Sequence, residues 1–321
     1  MTKKLGIFDV NVLVSGEAKA KAPTPSKRRT IKASLGTVVM QMRAAKLAER
    51  TVGDYETYVK SFVDATGHTY LDEIDVASIY VWLASMEVSN NTLLIRLKCF
   101  KAFLGKCFNN GWIKERFWHT VNVKVDKQIK RGTTDEQIAQ VLSVIDMSTF
   151  VGLRDAVAVV MLYRTGLRVG SLVSVLESDI DSTANTITLQ GAQLKNRKPL
   201  VLPLPPELVD MVEVLIEQNN IIRGHYGMSN NYLFINKDGT QISPTSRHNT
   251  IQRRIRGYSQ KYDIPDINPH ALRRGFAKAL LNKGADIVLI SKALGHSDLS
   301  VTTQYLYFES REIVDSLRGY L

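Results

Sequence analysis

The chain has few cysteines, no long apolar run and fewer acidic than basic residues, and each shortage narrows what it can be. No stretch approaches the roughly 18 consecutive apolar residues that a bilayer crossing needs, which argues against membrane insertion. LGIFDVNVLV follows two lysines near the N-terminus as a secretory signal would. Asp9 and Asn11 interrupt it, however, and no convincing cleavage site follows, so a cytoplasmic protein is expected. The two cysteines, Cys99 and Cys107, are eight residues apart in a helical pattern, too far along one helix to pair, and no metal-ligand cluster surrounds them. They read as reduced core or near-core thiols. No group of carboxylates is suited to Mg²⁺. Lys and Arg number 42 against 31 Asp and Glu, a formal charge of +11, which favours a polyanionic partner: nucleic acid or an anionic membrane surface.

What is present suffices for two domains with proper cores, since 321 residues carry 44% hydrophobic side chains. Residues 1–34 read as a basic arm. Pro23 and Pro25 break helix there, and Lys19, Lys21, Lys27, Arg28, Arg29 and Lys32 concentrate charge, as a solvated tail or as a strap along phosphates. Residues 35–115 are helical in pattern, with Thr51 and Asp75 as caps and a longer helix opened by Ser89 or Asn90. That helix would bury Leu93, Leu97, Phe100, Leu104 and Phe108. Its other faces carry Arg96, Lys98, Lys101 and Lys106, either a solvated face or a grip on DNA. Residues 116–133 lack periodicity, are rich in lysine and read as an interdomain linker.

From residue 134 to 321 the pattern is again mainly α, with a small antiparallel sheet. TDEQ at Thr134–Gln137 signals a helix start, Asp155 to Tyr163 a buried helix stopped at Gly166. TITL and PLVLPL are extended runs on either side of a GAQLKNRK turn. Helices are expected around Glu207–Ile222 and Ser243–Tyr262. The second carries Arg247, His248, Arg253, Arg254 and Arg256, a density that suits phosphate or groove contacts better than packing.

The stretch from Asn268 to Tyr307 carries the most chemistry. Pro269 opens a helix that sets His270 and Arg273 on one face. A second amphipathic run, through Ile287, Leu289, Ile290, Ala293 and Leu294, ends at Gly295, a left-handed cap that would turn His296 inward. Tyr305 follows nine residues after His296. A cation and imidazoles for phosphate oxygens thus accompany a phenol able to attack phosphorus.

This ordered series of HxxR, LGH and a tyrosine nine residues beyond the histidine resembles the second box of the tyrosine recombinase family, the site-specific DNA integrases, resolvases and Xer-type recombinases. TGLRVGSL resembles the family's first box and makes Arg168 its first catalytic arginine. The resemblance implies a two-domain clamp on duplex DNA, with a small helical core-binding domain ahead of the catalytic one. It also implies the site residues Arg168, Lys195, His270, Arg273, His296 and Tyr305, with Lys195 on the hairpin between the two extended runs. Lys198 is the competitor of Lys195, and Tyr307 the rival of Tyr305. The implied reaction is cleavage and rejoining of DNA through a 3′-phosphotyrosine, with no metal or nucleotide cofactor. The implied partners are double-stranded recombination sites and further copies of the chain, as a tetramer on synapsed DNA. The C-terminal stripe of Ile313, Val314, Leu317 and Leu321 would fold back on its own domain or dock on a neighbour. One departure stands out: Ser171 occupies a position where the family has an acidic residue holding the arginine. It leaves open a DNA-binding regulator that no longer recombines; a strand-relaxing nickase is a further alternative.

Overall fold

The computed structural model describes residues 28–125, 130–194, 196–245, 249–296, 298–303 and 318. The chain divides into two compact units, Met1–Lys127 and Gln128–Leu321.

The first unit is helical: α1 (Ile31–Ala44), α2 (Glu49–Thr66), α3 (Val76–Ala84) and α4 (Asn90–Asn109). Its caps follow the expectation at Asp75 and Ser89, and Thr30 supplies a further one. The side chains of Thr30, Asp75 and Ser89 each accept a backbone N–H in the first turn of the helix that follows. Thr51, expected as a cap, instead lies inside α2, which starts at Glu49 after Ala48 with no side-chain cap. The core is aromatic at its centre: Phe62 stacks on Phe100 with centroids 4.4 Å apart, and Trp82 leans on both. On α4, Leu97, Phe100 and Leu104 are buried as expected, while Phe103 and Cys107 are also buried, and Leu93 and Phe108 sit at the margin. Burial pushes the Cys107 thiol up to about 12 and the Cys99 thiol up to about 11, so both stay protonated and unreactive at neutral pH.

Both ends of this unit extend past the stretch of helical pattern. Ile31 is a core residue at 1% exposure, and Arg28 pairs with Asp72 and Glu73 while Arg29 lies over the Trp112 ring at 3.6 Å. These two cations of the expected arm are therefore engaged within their own unit. Beyond residue 116, Trp118 and Val121 are buried in the same core, apolar anchors that the surrounding lysines obscure in the sequence.

The second unit is built round α6 (Phe150–Thr165), which is buried along most of its length. Its other α-helices among the described residues are α5 (Asp135–Ser143), α7 (Val169–Leu172), α8 (Pro206–Tyr226), α9 (Thr250–Lys261), α10 (Pro269–Asn282), α11 (Ile287–Ala293) and α12 (Leu299–Thr303). α6 packs against α8, α9 and α10. Thr134 and Gln137 close the expected capping box of α5. Thr186–Leu189 (β2) and Leu200–Pro203 (β3) pair antiparallel with Leu189 opposite Leu200, and a short β1 (Ile180–Asp181) adds a third strand beside β2. The fold is thus mainly α with one small antiparallel sheet. α9 starts at Thr250 behind the Asn249 cap, seven residues later than expected, because 243–245 are held in turns by their own hydroxyls. No helix among the described residues is long and apolar enough to cross a membrane.

Candidate active site

Three helix ends meet at the site. α6 stops at Gly166, whose φ of 64° is readily reached only without a side chain, and whose added Cβ would lie 2.3 Å from the Phe276 ring. Two residues on, Arg168 occupies the cap position of α7. α10 opens with Pro269 in its first turn and with the Asn268 side chain accepting from Ala271 N, which places His270 and Arg273 one turn apart. α11 ends at Gly295 with φ of 61°, and the backbone N–H of His296 reaches back to Ser291 O at 2.9 Å, the hydrogen bond of a Schellman cap. The glycine thereby directs the imidazole toward α10.

Arg273 is 2% exposed and joins these ends. Its guanidinium donates to Gly166 O, to Leu294 O at 2.6 Å and to His296 Nε2 at 2.9 Å. The two carbonyls are the unsatisfied C-terminal groups of α6 and α11, where a cation is favoured by both hydrogen bonding and the helix dipole. His296 Nδ1 lies 2.8 Å from the hydroxyl of Thr302, itself fully buried. Arg168 is half-buried, and its side chain makes no hydrogen bond or ion pair among the described residues; Ser171, 7% exposed, offers it no carboxylate.

The electrostatics follow from this crowding of cations. Burial first, then the charges of Arg273 and Arg168, push His296 down to about 4. His270 is exposed, yet desolvation by the atoms packed round its ring, and then the charges of Arg274, Arg273, Arg168 and Lys130, hold it below the usual histidine range. Both rings are therefore neutral at pH 7. Neutral His270 can accept a proton, and the two arginines keep their charge for an anion.

The hairpin expected to carry the lysine is tied on both sides. Gln193 donates to Ser174 O at 2.9 Å and to Asp179 Oδ2 at 2.5 Å, and Asn196 donates to Gly295 O at 3.1 Å, beside His296. Lys195 itself lies outside the described residues, as do Tyr305, its rival Tyr307, Arg247 and the C-terminal stripe; Lys198 is exposed. Of the six expected site residues the structure thus brings together Arg168, His270, Arg273 and His296. Thr302, Gln193 and Asn196 were missed: polar residues in loops and short helices carry no periodic signal, and Thr302 is indistinguishable in sequence from its neighbour Thr303.

The DNA-contact candidates divide. Lys98 and Arg253 are exposed. Lys101 bends onto Val121 O at 2.5 Å, Arg96 reaches Met86 Sδ at 3.0 Å, and Arg254 pairs with the buried Asp155 at 2.6 Å. These three cations have structural partners within their own units.

The family model for phage integrases matches residues 131–311, more than half of the chain. Tyrosine recombinase XerC of Staphylococcus aureus is 30% identical over 200 residues, which make up 61% of this chain; the match spans 63% of that relative's length. Among solved structures, the Tn1549 transposon integrase in complex with a circular intermediate DNA has a TM-score of 0.70 at 18% identity, over 91% of this chain and 100% of that one. A lambda integrase tetramer bound to a Holliday junction has a TM-score of 0.68 at 15% identity, over 88% of this chain and 78% of that one. Fold and site together define a catalytic domain of the tyrosine recombinase type. The chain belongs to the phage integrase family, and so to the tyrosine-type site-specific recombinases, enzymes that cleave and rejoin DNA. The regulator reading left open by Ser171 is not favoured.

Proposed function

We propose that this chain recombines two double-stranded DNA sites through the residues gathered at the ends of α6, α10 and α11. The observation that carries the proposal is the gathering of Arg168 and Arg273 with His270 and His296, guanidiniums and hydrogen-bonding imidazoles that together complement a phosphodiester. Arg168 and Arg273 bind the non-bridging oxygens of the scissile phosphate and offset the charge gained in the transition state. His270 takes the phenolic proton of Tyr305 as its oxygen attacks phosphorus. Lys195 protonates the departing 5′ oxygen, leaving the DNA joined through a 3′-phosphotyrosine. Attack by a 5′ hydroxyl from the partner duplex reverses these steps and completes the exchange.

Assembly follows the same reading. The lambda integrase relative is a tetramer on a Holliday junction, and a tetramer on synapsed sites is proposed here too. Lys98 and Arg253, both exposed, are the cations that meet phosphates in this reading. The test is a strand-exchange assay with two copies of a bound site. Recombinant joints support the proposal; nicking and relaxation without exchange would reduce it to a one-protomer nickase.

A further inference from the structure

His296, beside Arg273, also contacts the hydroxyl of Thr302. The guanidinium of Arg273 has only N–H donors, so at 2.9 Å the Nε2 of His296 must be the acceptor. The ring is neutral, and its one proton therefore sits on Nδ1. That proton points at Thr302 Oγ1, 2.8 Å away, and Thr302 has no exposed surface. The hydroxyl is thus the acceptor that defines which nitrogen is protonated and how the ring is turned. We propose that Thr302 is a positioning residue: its buried hydroxyl fixes His296 in the Nδ1–H tautomer, with Nε2 facing Arg273 and the phosphate that Arg273 would bind.

Two consequences distinguish this from simple packing. A ring released from Thr302 can flip about its Cβ–Cγ bond and present carbon, instead of Nε2, to Arg273. Thr302 also lies on α12, three residues ahead of Tyr305, so the same hydrogen bond ties the segment leading to the nucleophile to the imidazole at the phosphate site. This role rests on the recombinase reading for its effect on cleavage, though not for its effect on the ring.

The experiment uses the full chain labelled with ¹⁵N-histidine, with the His296 signals assigned from their loss in His296→Gln. Long-range ¹H–¹⁵N spectra report the tautomer. In parallel, covalent capture of a nicked recombination site reports cleavage. Wild type is expected to show the Nδ1–H form. Thr302→Val, which keeps the volume and removes the hydroxyl, should lose that form and slow capture by about 10- to 100-fold. Thr302→Ser should restore both. An Nε2–H tautomer in wild type, or an unchanged ring and capture rate in Thr302→Val, overturns the proposal; so does a Thr302→Ser protein as defective as Thr302→Val. If Thr302→Val fails to fold, the wild-type tautomer and the Thr302→Ser protein still decide. A tautomer change in Thr302→Val alongside a wild type that captures no DNA would leave the positioning intact and remove the recombinase reading instead.

Discussion

Two arginine clusters lie in the second unit, and they are built on opposite principles. At one, Asp155 is fully buried and bonded to Arg154 at 2.7 Å, to Arg254 at 2.6 Å and to the Tyr258 hydroxyl at 3.1 Å. At the other, Arg273 donates to the carbonyls of Gly166 and Leu294 and to His296, and Arg168 lies close enough to shift both histidines. The first cluster is built on a resident carboxylate that bonds both guanidiniums and holds α6 to α9. The second is held in place by backbone carbonyls, which orient a cation without cancelling its charge. A site meant for a phosphate needs the second design, because a resident carboxylate would compete with the ligand.

The largest effects should come from breaking this contrast at the arginines. Arg273→Lys removes a guanidinium that spans two helix ends and, on the proposed function, binds the scissile phosphate, so capture of a nicked site should fall by about 10² to 10³-fold, on the order of 3 to 4 kcal/mol, and the melting temperature should fall with it. Arg168→Lys should cost a similar factor in capture while leaving the melting temperature unchanged, since Arg168 supports nothing else among the described residues. Equal thermal losses in the two variants would erase the distinction drawn between them.

Asp155→Asn should act in the reverse sense. It strands Arg154, 2% exposed, without its charge partner, and about 3 to 5 kcal/mol of stability should be lost in denaturant titrations. Capture per folded molecule should hardly change. A loss of capture larger than the loss of folded protein would mean that the two clusters are coupled.

A smaller effect comes from pH. His296 titrates near 4 when folded and near 6.5 when unfolded, so between those values the unfolded chain binds the extra proton. The stability from keeping His296 neutral is full above about pH 6.5 and is lost as pH falls toward 4. Thermal melts of wild type should therefore decline over that window more steeply than those of His296→Gln; parallel slopes would show that His296 is not the group responsible.

The smallest expected change concerns DNA affinity. Arg253→Ala should lower the slope of log affinity against log salt by about 1, as for one phosphate contact. Arg254→Ala should change it less, because Asp155 already holds that guanidinium. The reverse order would mean that Arg254 leaves Asp155 when DNA binds.

Helix caps at Asp75, Ser89 and Thr134, the stop at Gly166 and the turn at Gly295 were legible because each depends on one local residue type. The convergence of Arg168, His270, Arg273 and His296 was legible only through family resemblance, since no local pattern brings residue 168 beside residue 273. Pairing across the chain stayed hidden. The partner of Arg254 is Asp155, 99 residues away in sequence, and that of Lys101 is the Val121 carbonyl, pairings that no local pattern announces. Trp118 and Val121 looked like linker because two apolar residues among lysines form no periodic stripe.

The central claim is that a phenol attacks the phosphate held by Arg168 and Arg273. It is tested most directly by trapping cleavage on a nicked duplex carrying a bound site, then sequencing the peptide of the denaturation-resistant adduct. The account predicts DNA on Tyr305 in wild type and no adduct with Tyr305→Phe, although that variant still binds the duplex. An adduct on Tyr307 or any other residue, or one that persists in Tyr305→Phe, would contradict it.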